Sequence, residues 1–440
     1  MVSPPTSINL RIAIFSALSA ATLLFTCGPV SAQIDFERPP INYSTATPDN
    51  PVSRLQARLD SGEVELTYDE NRGYLASVLE QLGISPSSQM LVFSKTSFQP
   101  QKISPRRPRA VYFGEDAYVG WVQRGDVLEI STVDPQLGAV FYTLEQKAAA
   151  KPTLVQDRGQ CIVCHASSRT ADVPGHLVRS VYPAPSGQPY FGAGTFTTDD
   201  RSPFHERWGG WYVTGTHGKE RHMGNVVVQG KDDPEELDRE AGANVTDLSE
   251  LLNTSPYLAS HSDIVALMVL EHQTRMHNLI TRANFETRAA CHYDRIMNKA
   301  LERPLDQRSE STERRIAAVV EKLIDGLLFV DEYPLNDPIE GSSTFSQEFS
   351  EIGPQDSQGR SLRQLDLSQR LMKYPCSYLI YSEPFAGIPV ATQEQIYRRL
   401  YDILSGTDTN EKYAHLTSAD RRAILEILRE TKTDLPDYWK

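Results

Sequence analysis

Two spacings of apolar residues divide the chain. From Ala110 onward, the short runs AVYF, AYVGWV, VLEIST and AVFYTL are rich in β-formers. Turn residues at 114–116, 124–126 and 135–138 separate them, and the pattern predicts an antiparallel meander. Upstream, 53–59 and 73–82 read as short helices, the second ending at Gly83, and 90–94 reads as a strand. From Asp247 the period becomes helical. Residues 260–299 form a long candidate with Ile264, Leu267, Met268, Leu279 and Ile280 at three- and four-residue spacing. Further helices are expected at 310–328, 362–374, 392–404 and 417–431, the last opening on an N-cap signature at Thr417. Between these two regimes, 151–230 shows few regular elements. It holds five of the ten histidines, two of the four tryptophans and the run WGGWYVTG. Chain of this kind wraps around something or forms an elaborate loop region.

The expected fold class is therefore α+β. Residues 33–150 form a mixed N-terminal part with a small antiparallel sheet. Residues 151–235 form an irregular segment, and 236–440 a mainly α-helical C-terminal half. The stretch 33–53 reads as a loose arm, and 230–240 as a charged hinge.

The first 32 residues break this pattern. Arg11 is their single charge, 12–25 is an apolar core, and Val30-Ser31-Ala32 offers small residues at a cleavage site. This is the form of a secretory signal peptide. These fourteen residues rise only about 21 Å as a helix, short of the roughly 30 Å of a bilayer core. Cleavage after Ala32 is expected, and retention as an anchor is the competing reading. Cys27 follows Leu24-Phe25-Thr26, a poor lipobox. No later window is apolar enough to span, so stable membrane insertion after cleavage is not expected.

Of the 440 residues, 40% are hydrophobic and 23% charged, with a net charge of −13. That is a globular balance. An acidic chain repels nucleic acid, which argues against that partner class. The cluster Arg106-Arg107-Pro108-Arg109 reads as a solvated loop, with a docking patch or carboxylate clamp as the sharper alternative.

Two of the five cysteines stand together with a histidine in QCIVCH, residues 160–165. Cys161-Ile162-Val163-Cys164-His165 has the C-x-x-C-H form of covalent haem attachment. Two thiols add across the two vinyl groups of one haem, and the next histidine supplies an axial nitrogen. Attachment outside the cytoplasm agrees with the export signal. Other readings stay open: a redox-active thiol pair, which needs a thioredoxin-like context, a zinc site completed by a distant histidine, or a plain disulfide.

By these residues the chain resembles the c-type cytochromes. The resemblance covers only residues 161–165. It implies thioether bonds at Cys161 and Cys164, His165 as proximal iron ligand, haem c as cofactor and electron transfer as activity. It also implies a redox partner protein, which the acidic charge would make basic, and a periplasmic location in a bacterium.

Met223 is the first candidate for a sixth ligand, with His222 and His217 beside it and His272 on the long helix behind them. Met268, His272 and Met276 share one helical face, which usually means core packing. Glu271 and Arg275 are expected to form a helix-surface pair. His272 and His277 lie some 140° apart on the helix and do not chelate one ion. Cys291 and Cys376 either form a disulfide or remain buried thiols. An enzyme with an open distal face, peroxidase-like, and a haem-based sensor are the alternatives to an electron carrier. The chain is far longer than electron carriage requires.

Overall fold

The computed structural model describes residues 35–229 and 236–440. The expected signal peptide at 1–32, Cys27 and most of the hinge after Val228 lie outside the described residues. The described residues cluster as one unit.

The first helix, α1 (Pro51–Ser61), starts where Asn50 accepts from the amides of Val52 and Ser53, and stops at Gly62 in the left-handed region. After α2 (Leu75–Gln81) the chain enters a six-stranded antiparallel sheet: β1 (Met90–Val92), β2 (Arg109–Phe113), β3 (Ala117–Val122), β4 (Val127–Asp134), β5 (Gly138–Glu145) and β6 (Val155–Gln156). The strands lie side by side in sequence order, as the meander predicts. Alternation gives the sheet two different faces. Ala110, Tyr112, Val119, Trp121, Leu128, Ile130, Tyr142 and Leu144 join α1 and α2 residues in one hydrophobic core. In the rows between them, Tyr118 pairs with Ser131 and Ser131 with Phe141, while Gly120 pairs with Glu129.

The irregular segment holds a one-turn helix, α3 (Ile162–His165), and a two-stranded ladder of β7 (Val178–Val181) and β8 (Thr195–Thr198). WGGWYVTG lies along the free edge of β1, where the amides of Phe93 and Ser94 donate to the Gly210 carbonyl and Tyr212 donates to Leu91. Gly210 has φ +85°, and a Cβ there would meet Ser94 Cβ at 2.6 Å. Glycine is needed for this close approach, and at Gly209 for another, where a Cβ would stand 2.1 Å from the Val181 carbonyl. After β9 (Gly215–Thr216) comes α4 (Ile264–Ala300), 37 residues capped by Asp263 and about 55 Å long. Its first two thirds are buried on nearly every side, so α4 is the spine of the fold. Helix α5 (Glu310–Leu327) packs along it, and β10 (Glu340–Gly341) pairs with β9. The chain closes through α6 (Phe345–Glu351), α7 (Glu383–Ala386), α8 (Val390–Leu404) and α9 (Ser418–Thr431). A six-stranded antiparallel sheet followed by a mostly helical half is an α+β fold. No described helix is long and apolar enough to cross a membrane.

Two expectations are corrected. Residues 362–374 are not helical. Asp366 turns its carboxylate onto the amides of Ser368 and Gln369, and Leu367 takes φ +58°. The side chain replaces the helical bonds the backbone would have made. Glu271 and Arg275 are not a surface pair either. Glu271 is fully buried against Arg207, and Arg275 binds Asp200. The surface assignment failed because both faces of this part of α4 are covered.

Candidate functional site

The C-x-x-C-H residues make a single helical turn with a fixed start and a fixed end. Asp157 Oδ2 accepts from the amides of Gly159 and Cys161. The Cys161 carbonyl accepts from the amides of Cys164 and His165 at 3.1 and 3.0 Å, closing the turn. Cys161 and Cys164, three apart, therefore share one side of it. Cys161 is half-buried and Cys164 exposed. Val163 between them is 80% exposed.

The loop that follows returns to hold the histidine. Ala171 and Asp172 both take left-handed backbone, and Thr170 Oγ1 donates to the Val173 carbonyl. This brings Gly175 against His165. Its amide donates to the His165 carbonyl at 2.8 Å, and its own carbonyl lies 3.0 Å from His165 Nδ1. A carbonyl only accepts, so Nδ1 carries the proton and Nε2 keeps its lone pair. Burial lowers the pKa of His165, which keeps the ring neutral and able to ligate. Asn278 on α4 clamps the same loop, binding both the amide and the carbonyl of His176. A Cβ on Gly175 would meet Asn278 Oδ1 at 2.1 Å, so only glycine fits.

The surroundings of His165 come from the sheet. The Phe141 ring lies 4.9 Å away. Arg109 and Glu129, which form a 2.6 Å ion pair beside Gly120, act on the imidazole with opposite signs. Arg109 is thus a clamp for an internal carboxylate, while Arg106 and Arg107 are exposed. Its Nε is buried without a partner. Arg179 lies near Cys164 and Arg169, and its guanidinium faces the 55%-exposed Phe191.

These residues fit a covalently held haem. Two thiols sit on one side of a turn, a neutral imidazole has its free nitrogen defined, apolar side chains stand exposed beside them, and a guanidinium nitrogen is left orphaned. A redox thiol pair fits less well. Burial and Asp157 push the Cys161 thiol up to about 12, whereas reactive pairs depend on a lowered value. The neighbouring sheet is also wholly antiparallel. No group of three or more His, Cys, Asp or Glu side chains able to hold a bare metal ion occurs among the described residues.

The other ligand candidates are held elsewhere. Met223 is buried in a small apolar cluster with Tyr182, Val228 and Leu237, and its sulfur accepts from Ser180 Oγ at 3.6 Å. His217 donates from Nδ1 to the Glu220 carbonyl and accepts at Nε2 from the Asn244 amide, so its lone pair is in use. His222 accepts at Nδ1 from the Gly224 amide, and its ring lies 5.4 Å from Trp208. His272 binds Ser377 Oγ, approaches Asp200 and stacks on Phe329. Among the described residues, the rings and charged groups found to act on His165 are those of Phe141, His176, Arg109 and Glu129, and none of these four candidates is one of them. Cys291 and Cys376 are free thiols.

A cavity of about 320 Å³ opens beside the attachment loop, between Ser168, Arg169 and His176 on one side and Thr198, Asp199 and Arg275 on the other. Sequence reading missed Phe141, Gly175 and Asn278. Phe141 carried a signal as an alternating strand position, but nothing local marks Gly175 as the partner of His165.

No protein-family model, curated protein or solved structure matches the chain.

Proposed function

We propose that this chain is an exported monohaem c-type cytochrome that transfers single electrons, with Cys161 and Cys164 in thioether links and His165 as proximal ligand. The observation that carries this reading is the His165–Gly175 bond. It fixes the ring tautomer so that Nε2 keeps its lone pair for a ligand bond, directly after two thiols on one helical turn. When bound, haem supplies a reversible one-electron couple. The chain's residues do the rest. Gly175 and Asn278 hold the imidazole in place, Phe141 covers it, and the Arg109–Glu129 pair sets the charge nearby. The acidic whole chain favours a basic redox partner.

The test is the pyridine haemochrome of the chain expressed with a haem c maturation system. Colour retained through acid–acetone extraction, and lost in the Cys161→Ala/Cys164→Ala double variant, supports the reading. Free haem released into the acetone refutes it. A peroxidase-like enzyme is the second reading, favoured by the cavity beside the loop. High-spin ferric bands and ready cyanide binding would select it over a carrier.

A further inference from the structure

A run of ring contacts leads from His165 into the protein. Phe141 lies 4.9 Å from His165, His176 5.9 Å from Phe141, and Tyr118 4.4 Å from His176. Tyr118 is 6% exposed and bridges β3 to α4. Its hydroxyl lies 2.8 Å from His277 Nδ1 and 3.0 Å from Gln273 Nε2.

The protons of this cluster follow from its partners. Gln273 Nε2 also donates to the Gly114 carbonyl at 2.8 Å, and its Oε1 accepts from the Tyr378 hydroxyl at 2.6 Å. The amide orientation is therefore set, and Gln273 donates to Tyr118. The phenolic proton of Tyr118 then has one acceptor, Nδ1 of His277. His277 must carry its own proton on Nε2, which faces Asp116 Oδ1 at 3.5 Å. Neither of these two atoms has another hydrogen-bond partner. A phenol, an imidazole and a carboxylate stand in series, with the His277 side chain 1% and that of Asp116 13% exposed.

Burial raises the Tyr118 pKa well above its ordinary value, so the side chain is a neutral phenol and no nucleophile. It does not line the cavity beside the loop. What such a phenol does readily is give up an electron and a proton together, provided a base already stands within hydrogen-bond reach.

We propose that Tyr118 is a redox-active tyrosine. A one-electron oxidant takes an electron from the ring, the O–H bond breaks, and the proton forms an N–H bond at Nδ1 of His277. The products are a neutral tyrosyl radical, an imidazolium facing Asp116, and the oxidant reduced by one electron. The oxidant is of the hydroperoxide class. Its O–O bond breaks to give an alcohol and water, or two waters from hydrogen peroxide; this takes two protons from solvent and two electrons, one from Tyr118 and one that a haem held at His165 would supply. This last step rests on the reading of His165 as a haem ligand; the chemistry at Tyr118 does not.

The test uses the full mature chain with two oxidants, flash-generated tris(bipyridine)ruthenium(III) and hydrogen peroxide, with freeze-quench electron paramagnetic resonance as readout. A tyrosyl signal is expected with both. It disappears in Tyr118→Phe and persists in Tyr112→Phe, a buried tyrosine bound to Gln89 rather than to a histidine. In His277→Gln the radical forms roughly a hundredfold more slowly, as for loss of a positioned base. No tyrosyl signal, or one unchanged in Tyr118→Phe, overturns the proposal. A Tyr118 signal with ruthenium but not with peroxide upholds the site and refutes peroxide as its oxidant. The ruthenium signal in a chain that carries no haem upholds the site and refutes the haem reading alone.

Discussion

Replacing Arg207 with Met removes the tie between the glycine-rich segment and α4. The guanidinium donates to Glu271 Oε2 at 3.0 Å, to the Ser202 carbonyl at 2.7 Å and to the Asp200 carbonyl at 3.1 Å. The two side chains of the ion pair are 3% and 0% exposed, so neither recovers hydration when its partner leaves. Removing one member of such a pair costs about 3–5 kcal/mol. The loss has a defined pH dependence. Burial pushes the Glu271 carboxyl up to about 7, against the opposing pull of Arg207. A carboxyl raised in the folded state adds stability below its unfolded value of about 4.3 and loses it as pH rises through the folded value. Without Arg207 the folded value climbs further, and ionised Glu271 becomes costlier. Urea unfolding at about pH 5.5 and about pH 8 should therefore show the larger deficit at the higher pH. A deficit below about 1 kcal/mol at both, or one that shrinks as pH rises, would refute the reasoning.

Three further outcomes are expected. Gly138→Ala should lower stability by about 1–3 kcal/mol in urea unfolding, because φ is +68° and the new Cβ would stand 2.4 Å from Thr281 Cγ2. An unchanged midpoint would contradict the close contact of this turn with α4. For Asp200, burial alone would raise the pKa, but Arg275 and His272 outweigh it and hold the carboxyl well below the usual range. Its stabilisation is present above about pH 3.9 and fades below it; Asp200→Asn should thus cost about 3–5 kcal/mol at neutral pH and progressively less in acid. Finally, iodoacetamide without reductant should label half-buried Cys291 in the native protein. Cys376 should react only after unfolding, since burial pushes its thiol up to about 12. A cross-linked 291–376 fragment would show the pair to be bridged.

Elements with a strong repeating pattern were legible. The meander stands where AVYF, AYVGWV, VLEIST and AVFYTL place it, and α4, α5, α8 and α9 lie within a few residues of their expected bounds. The failures share a cause. At 362–374 the apolar spacing looked helical, but Asp366 captured the backbone amides. On α4, Glu271 and Arg275 matched a surface pair because spacing carries no information about what covers a face. Met223 and His222 looked free to reach an iron because their loop is glycine-flanked. The fold uses Gly224 of that loop for close packing against the His222 ring, and Gly209 of the WGGWYVTG run packs against Met223 Cε.

By itself the sequence determined the α+β class, the order of the strands and the C-x-x-C-H turn, because each rests on residues near one another along the chain. Only the tertiary structure decided which nitrogen of His165 is free. That depends on a loop folded back by two left-handed residues and held by Asn278, more than a hundred positions away. It alone also set Tyr118, His277 and Asp116 in series. A hydrogen bond between side chains on a strand and a distant helix leaves no periodic mark in the sequence, because its partners are chosen by packing.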